Sequence, residues 1–134
     1  MNRSYSEVYV HLIWSTWDRL DLIDQEIEQA LYTYICKKSN QNNFQTLTIG
    51  GTSDHIHLLV RLNTAISIGE MVRLLKGSSS HYIANVFRPE DFFRWQGGYA
   101  VFSVSPFHVK TISQYILNQK RHHSADTWEE KWEI

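Results

Sequence analysis

The sequence predicts an α+β domain: a four-stranded antiparallel sheet with helices on one face, followed by one further helix. Three observations predict it. Short runs of alternating apolar residues are interleaved with apolar stripes at helical spacing; the order reads β-α-β-β-α-β-α; and only six glycines and two prolines punctuate the chain, so the connections are short.

Each element has its own signal. Val8, Val10, Leu12 and Trp14 alternate with Tyr9, His11, Ile13 and Ser15, the period-2 pattern of a strand, with apolar groups on much of both faces as a central strand requires. Asp24 is a suitable N-cap. Ile27, Leu31, Tyr34 and Ile35 follow at helical spacing, and Lys37 and Lys38 close the last turn where they complement the helix dipole, so a helix spans roughly 25–40. Phe44 to Ile49 and His55 to Leu62 are two strand-like runs parted by Gly50-Gly51-Thr52-Ser53, which reads as an antiparallel hairpin with a glycine-rich turn. Ser67 and Glu70 form a capping box, after which Ile68, Met71, Val72, Leu75, Ser79, Tyr82, Ile83 and Val86 keep one stripe up to Pro89. Alternation returns from Tyr99 to Ser105, and Val109, Ile112 and Ile116 mark a final helix to about His123. A βαββαβ run folds most readily as the ferredoxin-like split βαβ arrangement, leaving the C-terminal helix to pack elsewhere.

Composition sets the outer limits. With 134 residues, 43% hydrophobic, the chain can fill one core, so we expect a single domain over 1–134. The single cysteine, Cys36, excludes a disulfide framework and a cysteine-based zinc site and points to a reducing, cytoplasmic setting. No apolar run approaches the roughly 18 residues of a membrane span, and Met1 to Tyr9 lacks an apolar leader core, so no membrane association or export is expected. Net charge is −1, but it is segregated: residues 1–28 carry −4, residues 126–134 carry −3, and residues 29–125 hold ten Lys/Arg against four acids. A basic central surface is therefore available to a nucleic acid. The acidic tail 126–134, with Trp128 and Trp132 at i and i+4, reads as a short amphipathic segment packing on the body or on a partner.

Two places carry chemistry. Asp54-His55-Ile56-His57-Leu58-Leu59-Val60 puts two histidines at i and i+2 on a strand, so both imidazoles leave one face while Ile56, Leu58 and Val60 leave the other. Two nitrogens then converge as a shared metal would need, although the same spacing also suits stacked or solvent-facing strand histidines. On the last helix Tyr115, Gln119 and His122 share a face beside the apolar stripe. That face reads either as the polar side of an amphipathic helix or as a phenol placed to act as a covalent nucleophile beside a metal-bound phosphodiester.

Both motifs together resemble those of the single-tyrosine HUH transposases, which move small bacterial and archaeal insertion sequences as single-stranded DNA. His55-Ile56-His57 is similar to their His-hydrophobic-His signature, and Tyr115-Ile116-Leu117-Asn118-Gln119 to their nucleophile helix. His11-Leu12-Ile13-Trp14-Ser15-Thr16, Leu74-Leu75-Lys76-Gly77-Ser78-Ser79 and the stretch from Trp95 to Ser105 also resemble the family pattern, so the likeness covers nearly the whole chain. It implies a nuclease and strand transferase. In that reading His55, His57 and Gln119 hold a divalent ion, Mg²⁺ or Mn²⁺, and Tyr115 attacks the scissile phosphate to leave a 5′-phosphotyrosine and a free 3′-hydroxyl. Nitrogen ligands suit Mn²⁺ better than Mg²⁺ unless substrate oxygens complete the shell. The resemblance further implies a homodimer whose active sites combine the histidine pair of one chain with the tyrosine helix of the other. It also implies a DNA hairpin near the element's end as the bound substrate. Candidate DNA contacts are Arg61, Arg73, Lys76, Ser78, Ser79, Arg88, Arg94, Lys120 and Arg121.

Three other readings compete. A host-adopted relative would cut dispersed palindromic repeats, although such relatives tend to be longer. A non-catalytic binder would use aromatics such as Trp14, Trp17, Tyr99 and Phe102 as stacking platforms, but would have no need of the phenol. A metal-dependent hydrolase acting through water would not need Tyr115 either.

Overall fold

The structure is a computed structural model and describes residues 3–120. Strand β1 (Tyr9–Ser15) leads through a 3₁₀ turn at Trp17–Arg19 to helix α1 (Gln25–Gln41); β2 (Gln45–Gly51) and β3 (His55–Arg61) form a hairpin; helix α2 (Ile68–Tyr82) follows; β4 (Ala100–Val104) and helix α3 (Val109–Leu117) complete the fold. The sheet order is β2-β3-β1-β4 with every neighbouring pair antiparallel, the ferredoxin-like order that the βαββαβ run predicts.

The two faces of the sheet are covered by different helices. Val10, Leu12 and Trp14 of β1 and Ile56, Leu58 and Val60 of β3 pack against Ile27, Leu31 and Ile35 of α1 and Met71, Val72 and Leu75 of α2. On the opposite face Tyr9, Leu59 and Val104 meet Ile116, with Val109, Ile112 and Tyr115 of α3 packed around them. This explains why β1 is apolar on both sides: it is a central strand under helices from two directions. Burying each Leu or Ile stabilises the fold by about 1.5–3 kcal/mol. Both long helices start at the caps the sequence indicates, since Asp24 Oδ1 accepts from Ile27 N at 2.9 Å and Ser67 Oγ accepts from Glu70 N at 3.1 Å.

Two expectations are corrected. First, α2 does not run to Pro89 as one α-helix: it ends at Tyr82 and widens into a π-helical turn, Ile83–Phe87, closed by Arg88 N donating to Ile83 O at 2.9 Å. The wider turn rotates the stripe, so Ile83 stays buried and Val86 is exposed. Second, Gly50 and Gly51 lie in β2 rather than in the turn, which is made by Thr52, Ser53 and Asp54. Their place in the strand is steric. A Cβ on Gly51 would lie 2.2 Å from His55 O, and one on Gly50 2.3 Å from Ile116 O, so the first lets the hairpin close and the second lets α3 rest on the sheet. The final helix runs unbroken from Val109 to Leu117, turns at Asn118 and is helical again at Gln119 and Lys120. The rest of the expected helix, residues 121–123 with His122 among them, and the acidic tail lie outside the described residues. No described helix is long and apolar enough to cross a membrane.

Candidate functional site

β3 delivers the two histidines as its period requires. His55 and His57 point from the face that α3 covers, are both almost completely buried, and place their ring centroids 5.1 Å apart at 67°. Strand pairing fixes their height: His57 stands between Ile13 of β1 and Gly50 of β2, and His55 opposite Ser15.

Helix α3 and the helical residues just after its turn at Asn118 bring the other two side chains to the same spot. Gln119 is fully buried with Oε1 3.5 Å from His55 Nε2, while its Nε2 donates to Tyr115 O at 3.4 Å. That second bond orients the amide so that its oxygen, not its nitrogen, faces the histidine. Tyr115 is half-buried, its ring set edge-on to His57 at 5.8 Å and 76° and to His11 at 6.2 Å and 73°. The structure thus gathers His55, His57, Tyr115 and Gln119 at one place, within a single chain.

Behind the histidines stands a shell that the sequence reading did not single out. His55 Nδ1 lies 2.8 Å from Asp54 Oδ1 and 2.9 Å from Thr52 Oγ1. Burial would raise the Asp54 pKa, but the hydrogen bond from His55, the nearby Arg19 guanidinium and Thr52 outweigh it and hold the carboxyl at about 2. Arg19 Nε is 3.5 Å from Asp54 Oδ2 and reaches it from a turn in which both Asp18 and Arg19 have positive φ, 53° and 54°. Such backbone costs a non-glycine residue about 1–2 kcal/mol and is held here by Thr16 N donating to Asp54 O and Trp17 N to Arg94 O, both at 2.9 Å. On the other side, His11 Nε2 meets His57 Nδ1 at 2.8 Å. The available signal for His11 was a histidine on the face of β1 shared with Ile13; only the β1–β3 register puts it next to His57.

The donor set fits a divalent cation. Asp54 can only accept, so His55 presents Nδ1 to it as a donor and turns Nε2 toward the carbonyl oxygen of Gln119. A nitrogen and an amide oxygen facing each other in a buried place can be bridged by a cation, or by a proton on the nitrogen. Among the described residues no cluster of three His, Cys, Asp or Glu forms a metal site, and the third donor is instead an amide oxygen.

The candidate DNA contacts are dispersed, and several are committed elsewhere. Ser79 is fully buried and accepts from Trp95 Nε1 at 3.0 Å, which makes it part of the core. Ser78 Oγ donates to Leu74 O at 2.6 Å. Lys76 Nζ donates to Gln96 O and Gly98 O at 2.6 and 2.7 Å, tying down the loop before β4, and burial lowers its pKa. Arg88 pairs with Asp24, Asp91 and Glu26 at 2.9–3.3 Å. Arg61 Nη2 donates to Ser6 O and lies beside the Tyr5 and Tyr9 rings, and Lys120 pairs with Glu28. Arg73 is exposed on α2; Arg94 is exposed and stacks over Trp17 at 4.2 Å, lining with Lys76, Gly77, Ser80 and Gln96 a groove of about 480 Å³. Arg121 lies outside the described residues. Of the aromatics considered as stacking platforms, Trp14 is fully buried against Trp95, whereas Trp17, Tyr99 and Phe102 are partly exposed.

Comparison with known proteins converges on one family. A family model described as "Transposase IS200 like" matches residues 4–119. The ISDra2 transposase TnpA of Deinococcus radiodurans is 27% identical over 114 residues, 81% of each chain. Among solved structures, a protein from Deinococcus radiodurans R1 described as a transposase has a TM-score of 0.69 at 28% identity, covering 89% of this chain and 96% of its own. A REP-associated tyrosine transposase bound to a REP hairpin has a TM-score of 0.66, covering 96% of this chain and 74% of its own; at 14% identity this is a likeness of fold.

Proposed function

The chain belongs to the IS200-like transposase family, and from that membership we propose that it is a DNA transposase cutting and rejoining single-stranded DNA through a tyrosine nucleophile. The observation that carries this reading is the meeting of His55, His57 and Gln119 with Tyr115, brought from β3 and α3 to one buried place.

Each side chain has a part that follows from its position. His55, His57 and Gln119 would hold the Mg²⁺ or Mn²⁺ ion, which when bound polarises a phosphodiester and favours the phenolate over the phenol, whose ordinary pKa is about 10. Tyr115 Oη attacks the phosphorus. The P–O3′ bond breaks, the 3′ oxygen leaves and takes up a proton in place of the one the phenol lost, and the phosphate remains on the tyrosine as a 5′-phosphotyrosine. Attack by a different 3′-hydroxyl reverses the step and joins new strands, with the number of phosphodiester bonds conserved. His57 and His11 set edge-on to the Tyr115 ring confine the phenol, so that little orientational freedom is lost on reaction.

The substrate in this reading is a single strand folded into a hairpin near the element's end. The family relationship supports it, as does the hairpin bound by the REP-associated protein of the same fold. The exposed Arg73 and the Arg94–Trp17 stack offer phosphate contact and a base-stacking surface. A homodimer belongs to the same proposal. Among the described residues β4 is an edge strand paired only with β1, and Val101 and Phe102 on it and Tyr99 just before it are partly exposed, which suits strand pairing between two chains. Exchange of α3 between the chains would rebuild the same constellation from two subunits.

The test is incubation of the purified chain with labelled strands from both ends of its own gene region, with Mn²⁺ or Mg²⁺ and with a chelator. Metal-dependent cleavage of one single strand, absent for the same sequence as duplex, is expected. Tight binding without cleavage would overturn the enzymatic reading.

A further inference from the structure

At the end of the sheet that carries His55, a strained turn holds an aromatic ring under a cation. Trp17 comes two residues after Ser15, the register partner of His55, and the next two residues, Asp18 and Arg19, have positive φ of 53° and 54°. Backbone of this kind persists only where its surroundings fix it. Here Trp17 N donates to Arg94 O and Gln96 N to Ser15 O, both at 2.9 Å, and Asp18 N donates to Gln96 Oε1 at 2.8 Å. The turn is thereby tied to the 94–96 segment, and the Arg94 guanidinium lies over the Trp17 indole, 4.2 Å from its centroid. Both side chains are exposed, and they share a groove of about 480 Å³ with Lys76, Gly77 and Ser80 of α2.

The charges and the open space say what fits there. Arg88 and Lys120 are paired with acids, whereas among the described residues Arg94 has no carboxylate partner and no carboxylate lines the groove. Lys76 spends its ammonium on Gln96 O and Gly98 O and so fixes the wall. A Cβ on Gly77 or Gly97 would meet nothing within 4 Å, which leaves room between the walls. A cationic plane stacked on an indole and open to a groove is a platform for a nucleobase, with the guanidinium edge left to donate to a phosphate. A base inside a duplex has both faces covered by its neighbours, so an unpaired base gains most. We propose that the Trp17–Arg94 groove holds one unpaired base of the DNA strand that is cut, stacked on the guanidinium–indole pair, with Arg94 donating to an adjacent phosphate. This rests on the single-strand reading above and adds a specificity element to it. Thr16 N donates at 2.9 Å to the carbonyl oxygen of Asp54, the residue before His55, so the groove has a fixed place relative to the site of cleavage. Stacking there selects strands whose unpaired nucleotide lies at a set spacing from the scissile phosphate.

The test uses the full chain and labelled single strands from the ends of its own gene region, made abasic at one nucleotide at a time. A chelator is present, so that binding is read without cleavage. For the wild-type chain we expect one position at which loss of the base weakens binding by about 5–100-fold. Trp17→Leu should weaken the intact strand by a similar factor, yet bind the strand lacking that base no worse than wild type does, because the contact is already gone. Arg94→Gln should also flatten the salt dependence, its log–log slope falling by about 0.7, as loss of one phosphate contact on a single strand requires. A Trp17→Leu chain that is folded by circular dichroism and binds every strand as wild type does overturns the proposal. So does a Trp17→Leu loss that is undiminished at every abasic position. Should Trp17→Leu not fold, Arg94→Gln decides: unchanged affinity and slope overturn the proposal. Strands that are bound and, with Mn²⁺, cut while no abasic position matters overturn this inference alone. A chain that neither binds nor cuts any of them overturns the single-strand reading, and this inference with it.

Discussion

Gly50 and Ile116 approach so closely that no side chain fits between them: a Cβ on Gly50 would stand 2.3 Å from the Ile116 carbonyl oxygen and 3.2 Å from its Cγ2. Gly50 is also the register partner of His57. The glycine therefore sets how far α3, with Tyr115 and Gln119 on either side of Ile116, sits above the histidine pair.

Replacing Gly50 by Ala should push α3 away from the sheet. A displacement of about 1 Å of a reacting group can cost 10²-fold in rate, so single-strand cleavage should fall by about that factor. His55 and His57 both remain on β3, so much of the Mn²⁺ affinity should survive. Cleavage rate and Mn²⁺ titration on the same preparation check the two halves separately.

Asp54→Asn removes the charge behind His55 but keeps a side chain of the same shape. Loss of such a partner typically weakens metal binding by about 10–100-fold. We expect that loss in Mn²⁺ affinity, with an unchanged far-ultraviolet circular dichroism spectrum.

Asp24 caps α1 and pairs with Arg88; the hydrogen bond from Arg88, followed by that from Ile27 N, lowers its pKa. A folded-state pKa below the unfolded value of about 3.9 means stability that is present above that value and lost as pH falls through the folded one. Asp24→Ala should thus cost about 1 kcal/mol at neutral pH, with the deficit narrowing in strongly acidic buffer. Asp24→Asn, which keeps the cap and loses the charge, should cost less. Urea unfolding at several pH values measures both.

Ser79→Ala leaves the indole N–H of Trp95 buried without its acceptor, at a cost of about 1–3 kcal/mol. Because Ser79 is fully buried, affinity for single-stranded DNA should not change. Thermal unfolding and a filter-binding assay separate the two effects.

Much of the fold was legible because its signals are local. Alternation in β1 and β3, the caps at Asp24 and Ser67 and the apolar stripes of α1 and α2 each report on a few neighbouring residues, and the βαββαβ order then leaves few ways to assemble them. What escaped depends on contacts between elements. The π-helical turn after Tyr82 continues an apolar stripe that looks unbroken in one dimension. Gly50 and Gly51 resemble a turn until α3 is seen resting on one of them and the carbonyl of His55 against the other. At the site, His55, His57, Tyr115 and Gln119 carried recognisable spacing, whereas His11 joins them only through the β1–β3 register. Lysine, arginine and serine side chains carry no such spacing, and Ser79, Arg88 and Lys76 prove to be engaged within the protein.

The central claim is that Tyr115 becomes covalently joined to DNA. The most direct measurement runs the wild-type chain and Tyr115→Phe, each with 5′- and 3′-labelled strands from the gene's flanks and Mn²⁺, on a denaturing protein gel, followed by mapping of the DNA-linked peptide. The account predicts a metal-dependent adduct on the peptide containing Tyr115, absent from Tyr115→Phe although that variant still binds the strand. Cleavage by Tyr115→Phe at the wild-type rate, with no adduct in either protein, would contradict it and point to a hydrolase that uses water.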